Sequence, residues 1–256
     1  MKRILVTNDD GVFSTGIKQL AGELAALGEV IVVAPDREQS ASGHALTLHR
    51  PLRMQRLEEN WYTVDGTPTD CVNLAVLSLL QDHRPDVVVS GINFGLNLGD
   101  DVTYSGTVSA TFESSLLGIP SVAFSQEIAE GFSFAPAARF AAQLVATLLE
   151  APRHQKYLLN VNFPAGEFQG VRLTRLGRRE YKQSIVEKVD PRGRKYFWIA
   201  GTPEWEQADG TDQRAVAEGF ISLTPLHLDL TDYPGLDAHG PLREDLERRM
   251  RLGPQG

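Results

Sequence analysis

The chain has 256 residues, of which 42% are hydrophobic and 23% are charged, values that indicate one globular protein with room for a sizeable core. Its 33 Asp and Glu outnumber its 25 Lys and Arg, which gives a formal net charge of -8. Because non-specific binding to polymeric nucleic acid draws on clustered Lys and Arg, this balance argues against DNA or RNA as a partner.

Short apolar runs alternate with stretches of helical periodicity through the N-terminal part of the chain. The predicted strands are Ile4–Val6, Val30–Ala34, Val87–Val89, Val122–Phe124 and Leu158–Val161, and the predicted helices are Gly16–Leu27, Asp70–Leu80, Val108–Leu117 and Pro136–Leu149. Strands that are apolar throughout and alternate with helices indicate a parallel sheet covered on both faces. The sequence therefore predicts an α/β fold with a Rossmann-like, doubly wound, mostly parallel sheet.

The pattern changes in the C-terminal third. Tyr181–Ala200 alternates apolar and polar residues around the turn residues Asp190–Gly193, which predicts a C-terminal β-hairpin extension that protrudes near residues 178–202. An isolated two-stranded ribbon is marginal in water, so we expect the hairpin to pack on another subunit or on the main domain. Oligomerisation through this hairpin is therefore a prediction.

The remaining composition bears on domain organisation and compartment. The charge-rich segment Leu242–Leu252 favours a solvated helix in a C-terminal tail near 236–256, and we treat 1–256 as a single domain. The one cysteine, Cys71, excludes an intramolecular disulfide and fits a reducing compartment. No apolar stretch is long enough to span a bilayer, so we expect a cytoplasmic protein with no membrane partner.

Polar residues follow three of the predicted strands. They are Asn8, Asp9 and Asp10 after the first strand, Asp36, Arg37 and Ser40 after the second in "APDREQSASG", and Asn93 and Asn97 after the third in "SGINFGLNLG". In an open parallel sheet, ligands bind in the crevice beyond the carboxyl ends of the strands. We therefore expect these side chains to face one crevice.

Asp9 and Asp10 are adjacent carboxylates with no basic residue beside them. Each raises the pKa of the other unless a cation or a donor offsets the charge. They could simply cap the first helix or shape the turn before Gly11. We favour a metal site, because oxygen donors follow two further strands, and carboxylate, amide and hydroxyl oxygens select a hard ion such as Mg²⁺ or Mn²⁺.

The segment "YSGTVSA", residues 104–110, precedes an apolar-periodic helix. Ser105, Gly106 and Thr107 combine two hydroxyls and a glycine at a helix start, where N–H groups and the helix dipole favour an anion. An ordinary Ser or Thr N-cap is the alternative. Beside a metal site we favour a phosphate-binding segment, because enzymes that transfer or hydrolyse phosphoryl groups combine a metal ion with a phosphate-binding site.

Several common catalytic motifs are absent from the sequence. It contains no G-x-x-x-x-G-K-[ST], G-x-G-x-x-G, G-x-S-x-G or H-E-x-x-H, which argues against a Walker-type NTPase, a dinucleotide-binding protein, a serine hydrolase of the elbow type and a zincin. His44 lies near Ser40 in the sequence, and we favour a structural role for this histidine.

A series of motifs occurs along nearly the whole chain in a specific order and spacing. These are "ILVTNDDG", "VVAPDREQSASGHALT", "GTPTDCV", "DVVVSGINFGLNLG", "YSGTVSA", "GTDQRAV" and "GFISLTPLHLDLT". Together they resemble the SurE survival protein family. The resemblance implies a metal-dependent phosphatase that hydrolyses nucleoside 5'- and 3'-monophosphates to nucleoside and phosphate, with short polyphosphate as a further candidate substrate.

The resemblance also implies specific site residues. The metal ligands are Asp9, Asp10, the Ser40 hydroxyl and the Asn93 amide, which would hold one divalent ion per subunit, Mg²⁺ or Mn²⁺. The phosphate-binding residues are Asn97, Ser105, Gly106 and Thr107, and the catalytic set is Asp9, Asp10 and Asn97. The hairpin is expected to be exchanged between the subunits of a homodimer or homotetramer.

Two other classes of protein also have acidic residues directly after the first strand of the sheet. A haloacid-dehalogenase-type phosphatase needs Asp-x-Asp, but Asn8 stands two residues before Asp10 and cannot serve as the nucleophile. A non-enzymatic phospho-receiver domain needs an Asp after the third central strand, where this chain has Ser90-Gly91. We therefore favour metal-assisted hydrolysis, with Asp9 as the first choice for orienting or deprotonating the attacking water.

Overall fold

The structure is a computed structural model that describes residues 1–152, 157–182, 185–199, 202–206 and 208–252. The strands are β1 (Arg3–Thr7), β2 (Glu29–Pro35), β3 (Met54–Glu58), β4 (Trp61–Val64), β5 (Val87–Phe94), β6 (Ser121–Gln126), β7 (Leu158–Phe163), β8 (Val171–Leu173), β9 (Arg179–Lys182), β10 (Ile185–Val189), β11 (Lys195–Ile199), β12 (Thr202–Trp205) and β13 (Ile221–Pro225). The α-helices are α1 (Thr15–Leu24), α2 (Pro68–Leu74), α3 (Gly106–Leu116), α4 (Ala135–Glu150), α5 (Asp212–Ala217), α6 (Tyr233–Ala238) and α7 (Gly240–Leu252).

Nine strands form the central sheet in the order β3-β4-β2-β1-β5-β6-β7-β13-β8. The six strands from β4 to β7 in this order are mutually parallel, whereas β3 pairs antiparallel with β4 and β13 pairs antiparallel with β7. The predicted α/β fold with a mostly parallel sheet is confirmed. Because β1 lies between β2 and β5, the strand order reverses direction at β1, and a ligand crevice is expected beyond its carboxyl end.

The core occupies both faces of the sheet. Ile4 and Val6 of β1 belong to a buried cluster that includes residues of α1 and α4, while Leu5 belongs to a second cluster with residues of α2. All three side chains are fully buried. This is the two-sided burial that the continuous apolar runs predict, since a strand covered on one face only would alternate apolar and polar residues.

Two helices begin beside the carboxyl ends of the strands, and each start is fixed by a side-chain cap. The Ser14 hydroxyl accepts a hydrogen bond from the backbone N–H of Ile17 at the start of α1, at 3.5 Å. The Ser105 hydroxyl accepts from the backbone N–H of Val108 at the start of α3, at 3.1 Å. These caps satisfy otherwise unpaired N–H groups and so set where each helix begins.

The structure extends and divides some of the predicted elements. The strand predicted over Val87–Val89 continues to Phe94, and the helix predicted over Asp70–Leu80 consists of α2 followed by a π-helical turn over Ala75–Leu79. A 3-10 helix over Gly99–Thr103 precedes α3. The strands β3, β4, β8 and β13 were not predicted, and the five residues of β3 are mostly exposed and polar, which explains the missing apolar signal.

The predicted C-terminal hairpin is present. β10 pairs antiparallel with β11 around a turn in which the Asp190 carboxylate accepts hydrogen bonds from the backbone N–H groups of Arg192 and Arg194, at 2.8 and 2.9 Å. β9 and β12 form a second antiparallel pair at the base of the hairpin. Residues 183, 184, 200 and 201 of the predicted segment lie outside the described residues.

The chain divides into two compact units, Met1–Leu226 and a second that begins at His227. The first contains the sheet and the hairpin, and the second contains α6 and α7. The predicted helix over Leu242–Leu252 lies within α7, whereas residues 253–256 of the predicted tail lie outside the described residues. The single-domain assignment of 1–256 stays a prediction. Among the described helices, none combines the length and apolar character needed to cross a membrane.

The start of α1 packs directly against β5 through a glycine. A Cβ atom added to Gly16 would lie 2.0 Å from the carbonyl oxygen of Ile92, closer than any side chain allows. By contrast, a Cβ atom added to Gly22, on the exposed side of the same helix, would meet nothing within 4 Å.

We therefore expect Gly16→Ala to lower the free energy of unfolding by about 2 kcal/mol or more, because backbone must shift to admit the methyl group. The matched change Gly22→Ala is expected to be neutral or to stabilise by up to about 1 kcal/mol through helix propensity. Urea unfolding of both variants measures the difference. Equal unfolding midpoints for the two would contradict the close packing of α1 on β5.

Candidate active site

A cavity of about 1320 Å³ opens beyond the carboxyl ends of β1 and β5. Six of the residues predicted for the site line it, namely Asp9, Asp10, Ser40, Asn93, Asn97 and Ser105. They come from four separate segments of the chain. The crevice expected from the strand order is therefore where the structure brings these side chains together.

Asp9 is almost fully buried at the end of β1, with 5% of its surface exposed. The hydroxyl of Thr107 donates a hydrogen bond to its Oδ1 atom. A Cβ atom added to Gly106 would lie 2.8 Å from the Cβ atom of Asp9, so the start of α3 packs directly on the carboxylate. Burial raises the pKa of Asp9, and the hydrogen bond from Thr107 opposes that shift.

Asp10 is partly exposed and lies next to the buried carboxylate. Its Oδ2 atom accepts a hydrogen bond from the backbone N–H of Phe94, at 3.2 Å. Burial, followed by the charge of Asp9, raises the pKa of Asp10 to about 6. The two carboxylates thus repel as expected for adjacent acids without a cation.

Ser40 and Asn93 supply the remaining predicted metal-binding oxygens. The Ser40 hydroxyl donates a hydrogen bond to Oε1 of Glu38, at 2.6 Å. The Asn93 side-chain N–H₂ donates to the carbonyl oxygen of Gly95, at 2.9 Å, which orients the amide. Together with the two carboxylates these groups form an all-oxygen donor set, the kind that suits a hard divalent cation.

Glu38 is a cavity residue that the sequence interpretation did not single out. Its charge also raises the pKa values of Asp9 and Asp10. Among the described residues that line the cavity there is no Lys, Arg or His. The described chain also contains no group of three or more His, Cys, Asp or Glu suited to a metal ion, so a cation here would depend on the hydroxyl and amide oxygens as well.

Asn97 is buried and is held on several sides by β6 and β7. Its backbone N–H donates to Oδ1 of Asn162 at 2.8 Å, and its side-chain N–H₂ donates to the hydroxyl of Ser125 at 2.8 Å. Its carbonyl oxygen accepts from the side chains of Asn160 and Asn162, at 2.8 and 3.0 Å. The sequence interpretation missed both strand asparagines, although polar residues at alternate positions of a buried strand are a readable signal.

The three residues of the predicted phosphate segment have different surroundings. Ser105 caps α3 and lines the cavity. Gly106 and Thr107 are buried behind Asp9 rather than among the lining residues, and the Thr107 hydroxyl is committed to Asp9. Thr107 therefore acts on this site through the carboxylate, and a direct phosphate contact from its side chain stays a prediction.

Other polar residues from the same segments lie elsewhere. The expectation that Asp36 and Arg37 face the crevice is wrong, because both are exposed and form an ion pair at 3.6 Å outside the cavity lining. The backbone N–H of Asp36 donates to the carbonyl oxygen of Val64, so the chain at Asp36 continues the pairing of β2 with β4. His44 contacts the buried Glu113 at 2.8 Å, in keeping with a structural role.

The fold and the site define an α/β protein with a cavity at the point where a mostly parallel sheet reverses its strand order. An all-oxygen set of acidic, hydroxyl and amide donors lines part of this cavity, and a helix N-terminus packs against the first acid. The family model described as "Survival protein SurE" matches residues 4–183. The chain belongs to the SurE family.

Individual relatives cover nearly the whole chain. The chain is 53% identical over 235 residues to "5'-nucleotidase SurE" of Myxococcus xanthus, covering 91% of this chain and 90% of that protein. It is 56% identical over 236 residues to "5'-nucleotidase SurE" of Syntrophotalea carbinolica, covering 90% and 93%. The crystal structure of SurE protein from Aquifex aeolicus superposes with a TM-score of 0.84 at 44% identity, covering 94% of this chain and 99% of that chain.

The raised pKa of Asp10 predicts a stability effect with a defined sign. Since the folded pKa of about 6 lies above the ordinary pKa of an aspartate, the neutral carboxyl stabilises the fold at low pH, and this stabilisation is lost as the pH rises through 6. Asp10→Asn should therefore stabilise the protein in the presence of a chelator at pH 7.5 by about 1 kcal/mol, because solvent screens part of the repulsion at a partly exposed carboxylate, and should have little effect near pH 4.

Thermal unfolding in the presence of a chelator, at both pH values, measures this effect. Asp65→Asn is the matched control, because a backbone N–H bond from Arg53 lowers the pKa of Asp65 and its charge is favourable in the fold. The control should lose stability at pH 7.5. A loss of stability in Asp10→Asn at that pH would contradict the repulsion between the paired acids.

Proposed function

We propose that this protein is a divalent-metal-dependent nucleotidase that hydrolyses nucleoside 5'- and 3'-monophosphates to nucleoside and phosphate, with short polyphosphate as a further substrate. The names of its relatives, which are 5'-nucleotidases, support the nucleotidase activity. We also propose a cytoplasmic location. The single cysteine supports this, because Cys71 is free and buried and needs no oxidising compartment.

One observation carries the metal dependence: Asp9, Asp10 and Glu38 line a cavity to which the described residues contribute no basic side chain. A fourth lining acid, Asp101, is paired with Arg179, whereas a phosphate dianion beside Asp9, Asp10 and Glu38 would meet carboxylates with no basic side chain among the lining residues. A bound divalent cation removes that conflict, because it neutralises the two adjacent aspartates and attracts the substrate. Asp9, Asp10, Ser40 and Asn93 would hold one such ion per subunit, Mg²⁺ or Mn²⁺.

When bound, the cation would supply Lewis acidity, which draws charge from a phosphate oxygen and makes water more acidic. The protein's own groups account for the rest of the mechanism. Asp9, with one oxygen held by Thr107, would orient the attacking water and accept its proton as the water oxygen bonds to phosphorus. The P–O bond to the nucleoside breaks in the same displacement, and the proton taken by Asp9 passes to the leaving oxygen, which gives nucleoside and phosphate. The Ser105 hydroxyl and the positive end of the α3 helix dipole would stabilise charge on the phosphate oxygens, and the rigidly held Asn97 side chain would add a donor.

A phosphate-release screen tests the activity directly. We expect nucleoside 5'- and 3'-monophosphates to release phosphate with Mg²⁺ or Mn²⁺, and a chelator to abolish release. Asp9→Asn and Asp10→Asn should each lower kcat/KM by about 100-fold or more, because each removes a carboxylate that holds the ion and acts on the water.

Asp36→Asn is the control for this screen, since Asp36 also follows a strand of the sheet but lies outside the cavity. It should retain kcat/KM within about twofold. Circular dichroism checks that the variants fold. Near-normal turnover by Asp9→Asn or Asp10→Asn would remove that residue from the proposed site, and turnover that survives the chelator would overturn the metal requirement.

We further propose that the chain forms a homodimer or homotetramer through the hairpin. Apolar side chains lie exposed on both faces of β10–β11, Val186, Tyr196 and Trp198 on one face and Ile185, Val189 and Phe197 on the other. A two-stranded ribbon has no core of its own to cover them. Packing against a second subunit would remove this apolar surface from water.

Sedimentation of wild type is expected to give a species larger than a monomer at micromolar concentration. The double change Phe197→Ser with Trp198→Ser should shift it toward monomer, because these rings are 59% and 60% exposed in a single chain. Leu116→Ser on α3 removes an equally exposed apolar residue elsewhere and should not change the assembly. A monomeric wild type would refute the proposal.

A further inference from the structure

Three phenylalanines form one wall of the active-site cavity. Phe94, Phe132 and Phe134 all line it. The ring centroids of Phe94 and Phe132 are 5.3 Å apart with planes inclined by 74°, and those of Phe132 and Phe134 are 5.2 Å apart at 87°. Phe94 and Phe134 are 6.5 Å apart at 64°. These are edge-to-face arrangements, which hold the three rings as one unit.

We propose that the exposed ring of Phe94 is a stacking surface for the nucleobase of the substrate, braced by Phe132 and Phe134. This inference rests on the proposed nucleotidase function and extends it by assigning a base-binding part to the cavity. The mechanism proposed above uses carboxylate, hydroxyl and amide groups and the start of α3, and it leaves this aromatic wall without a role.

The first argument is the position of Phe94 relative to the acids. Its backbone N–H donates to Oδ2 of Asp10, at 3.2 Å, so the residue that carries the ring is bonded directly to the acid pair. A nucleotide whose phosphate lies beside Ser105 and the cation proposed at Asp9 and Asp10 would therefore place its remaining groups beside this ring. The cavity volume of about 1320 Å³ is far more than a phosphate group needs and accommodates a whole nucleotide.

The second argument is the exposure of the ring. Phe94 is 58% exposed although it lines a concave site, whereas its neighbour Phe134 is only 6% exposed. An aromatic ring left in contact with water forgoes the favourable free energy of burying its apolar surface. A flat aromatic ligand would recover part of that burial, and the edge-to-face contacts already hold the ring in place, so little side-chain entropy is lost on binding.

Tyr104 is the competing stacking residue, since it also lines the cavity and is 64% exposed. It directly precedes Ser105, the residue proposed to bind phosphate. Among the described residues no aromatic ring contact braces Tyr104, whereas two rings brace Phe94. We therefore assign the base to Phe94.

Stacking of this kind tolerates every base, because each has a π face, and it favours the larger purines over pyrimidines. The expected substrate preference is therefore broad, with purine nucleotides ahead of pyrimidine nucleotides and both ahead of a phosphorylated sugar without a base. Ribose 5-phosphate is the base-free probe that isolates the contribution of the ring.

The kinetic test compares AMP with ribose 5-phosphate in wild type and in Phe94→Ala. In Phe94→Ala we expect kcat/KM for AMP, divided by kcat/KM for ribose 5-phosphate, to decrease by about 5-fold to 100-fold, as loss of one stacking contact predicts. The decrease should arise mainly from a higher KM for AMP. Phe94→Tyr should restore most of the preference. Phe13→Ala is the control, because Phe13 is equally exposed but lies outside the cavity.

A binding test is independent of catalysis. Adenosine, which carries no phosphate, is titrated by ligand-observed NMR in the presence of a chelator. Its Kd should rise by about 5-fold or more in Phe94→Ala and stay unchanged in Phe13→Ala. If wild type releases no phosphate but binds adenosine in a way that depends on Phe94, the proposed nucleotidase activity is refuted and the base site is retained.

Four outcomes would overturn the base site. Adenosine could bind Phe94→Ala as well as wild type, or fail to bind either. The ratio of kcat/KM values could stay unchanged because both substrates are affected equally. Tyr104→Ala could remove the preference for AMP while Phe94→Ala retains it, which would move the base to the other ring.

Discussion

Burial of the Asp9 carboxylate against the start of α3 is the contact on which the arrangement of the site depends. Only glycine fits at position 106, and the Thr107 hydroxyl satisfies one oxygen of the acid. A buried carboxylate is costly unless its oxygens have partners. The same contact fixes the helix N-terminus beside β1, so the groups proposed to bind metal and those proposed to bind phosphate are positioned by one local packing arrangement.

A second buried acid connects the cavity to the base of the hairpin. Asp212 accepts hydrogen bonds from the backbone N–H groups of Gly99 and Gly177, both at 2.8 Å. Gly99 begins the 3-10 helix that leads to Ser105, and Gly177 precedes β9. One fully buried side chain therefore holds the phosphate-side loop and the root of the hairpin in register, which couples the geometry of the site to the element proposed to join subunits.

The sequence predicted the strands and helices that have a local apolar pattern, and the site residues that follow from a general rule about parallel sheets. Continuous apolar runs revealed the buried strands, and the rule that ligands bind beyond the carboxyl ends of parallel strands brought Asp9, Ser40 and Asn93 together. Glu38 was not assigned because an exposed acid in a polar segment has no pattern of its own, and its effect on Asp9 and Asp10 depends on the folded positions of the three carboxylates. Asn160 and Asn162 are marked by their alternate polar positions in a buried strand, but their contacts with Asn97, more than 60 residues away in the chain, are not readable from that pattern. The edge strand β3 lacks an apolar pattern, since its side chains are mostly exposed.

The structure leaves large apolar side chains exposed in two different settings, and the shape of the surface distinguishes them. Trp198 and Phe197 lie on opposite faces of a two-stranded ribbon, where only another protein surface can cover both. Phe94 lies in a cavity, bonded through its backbone to Asp10 and braced by two rings, where a small flat molecule can reach its exposed face. The proposals for the two settings therefore differ: a second subunit for the aromatic residues of the ribbon and a substrate for the ring in the cavity.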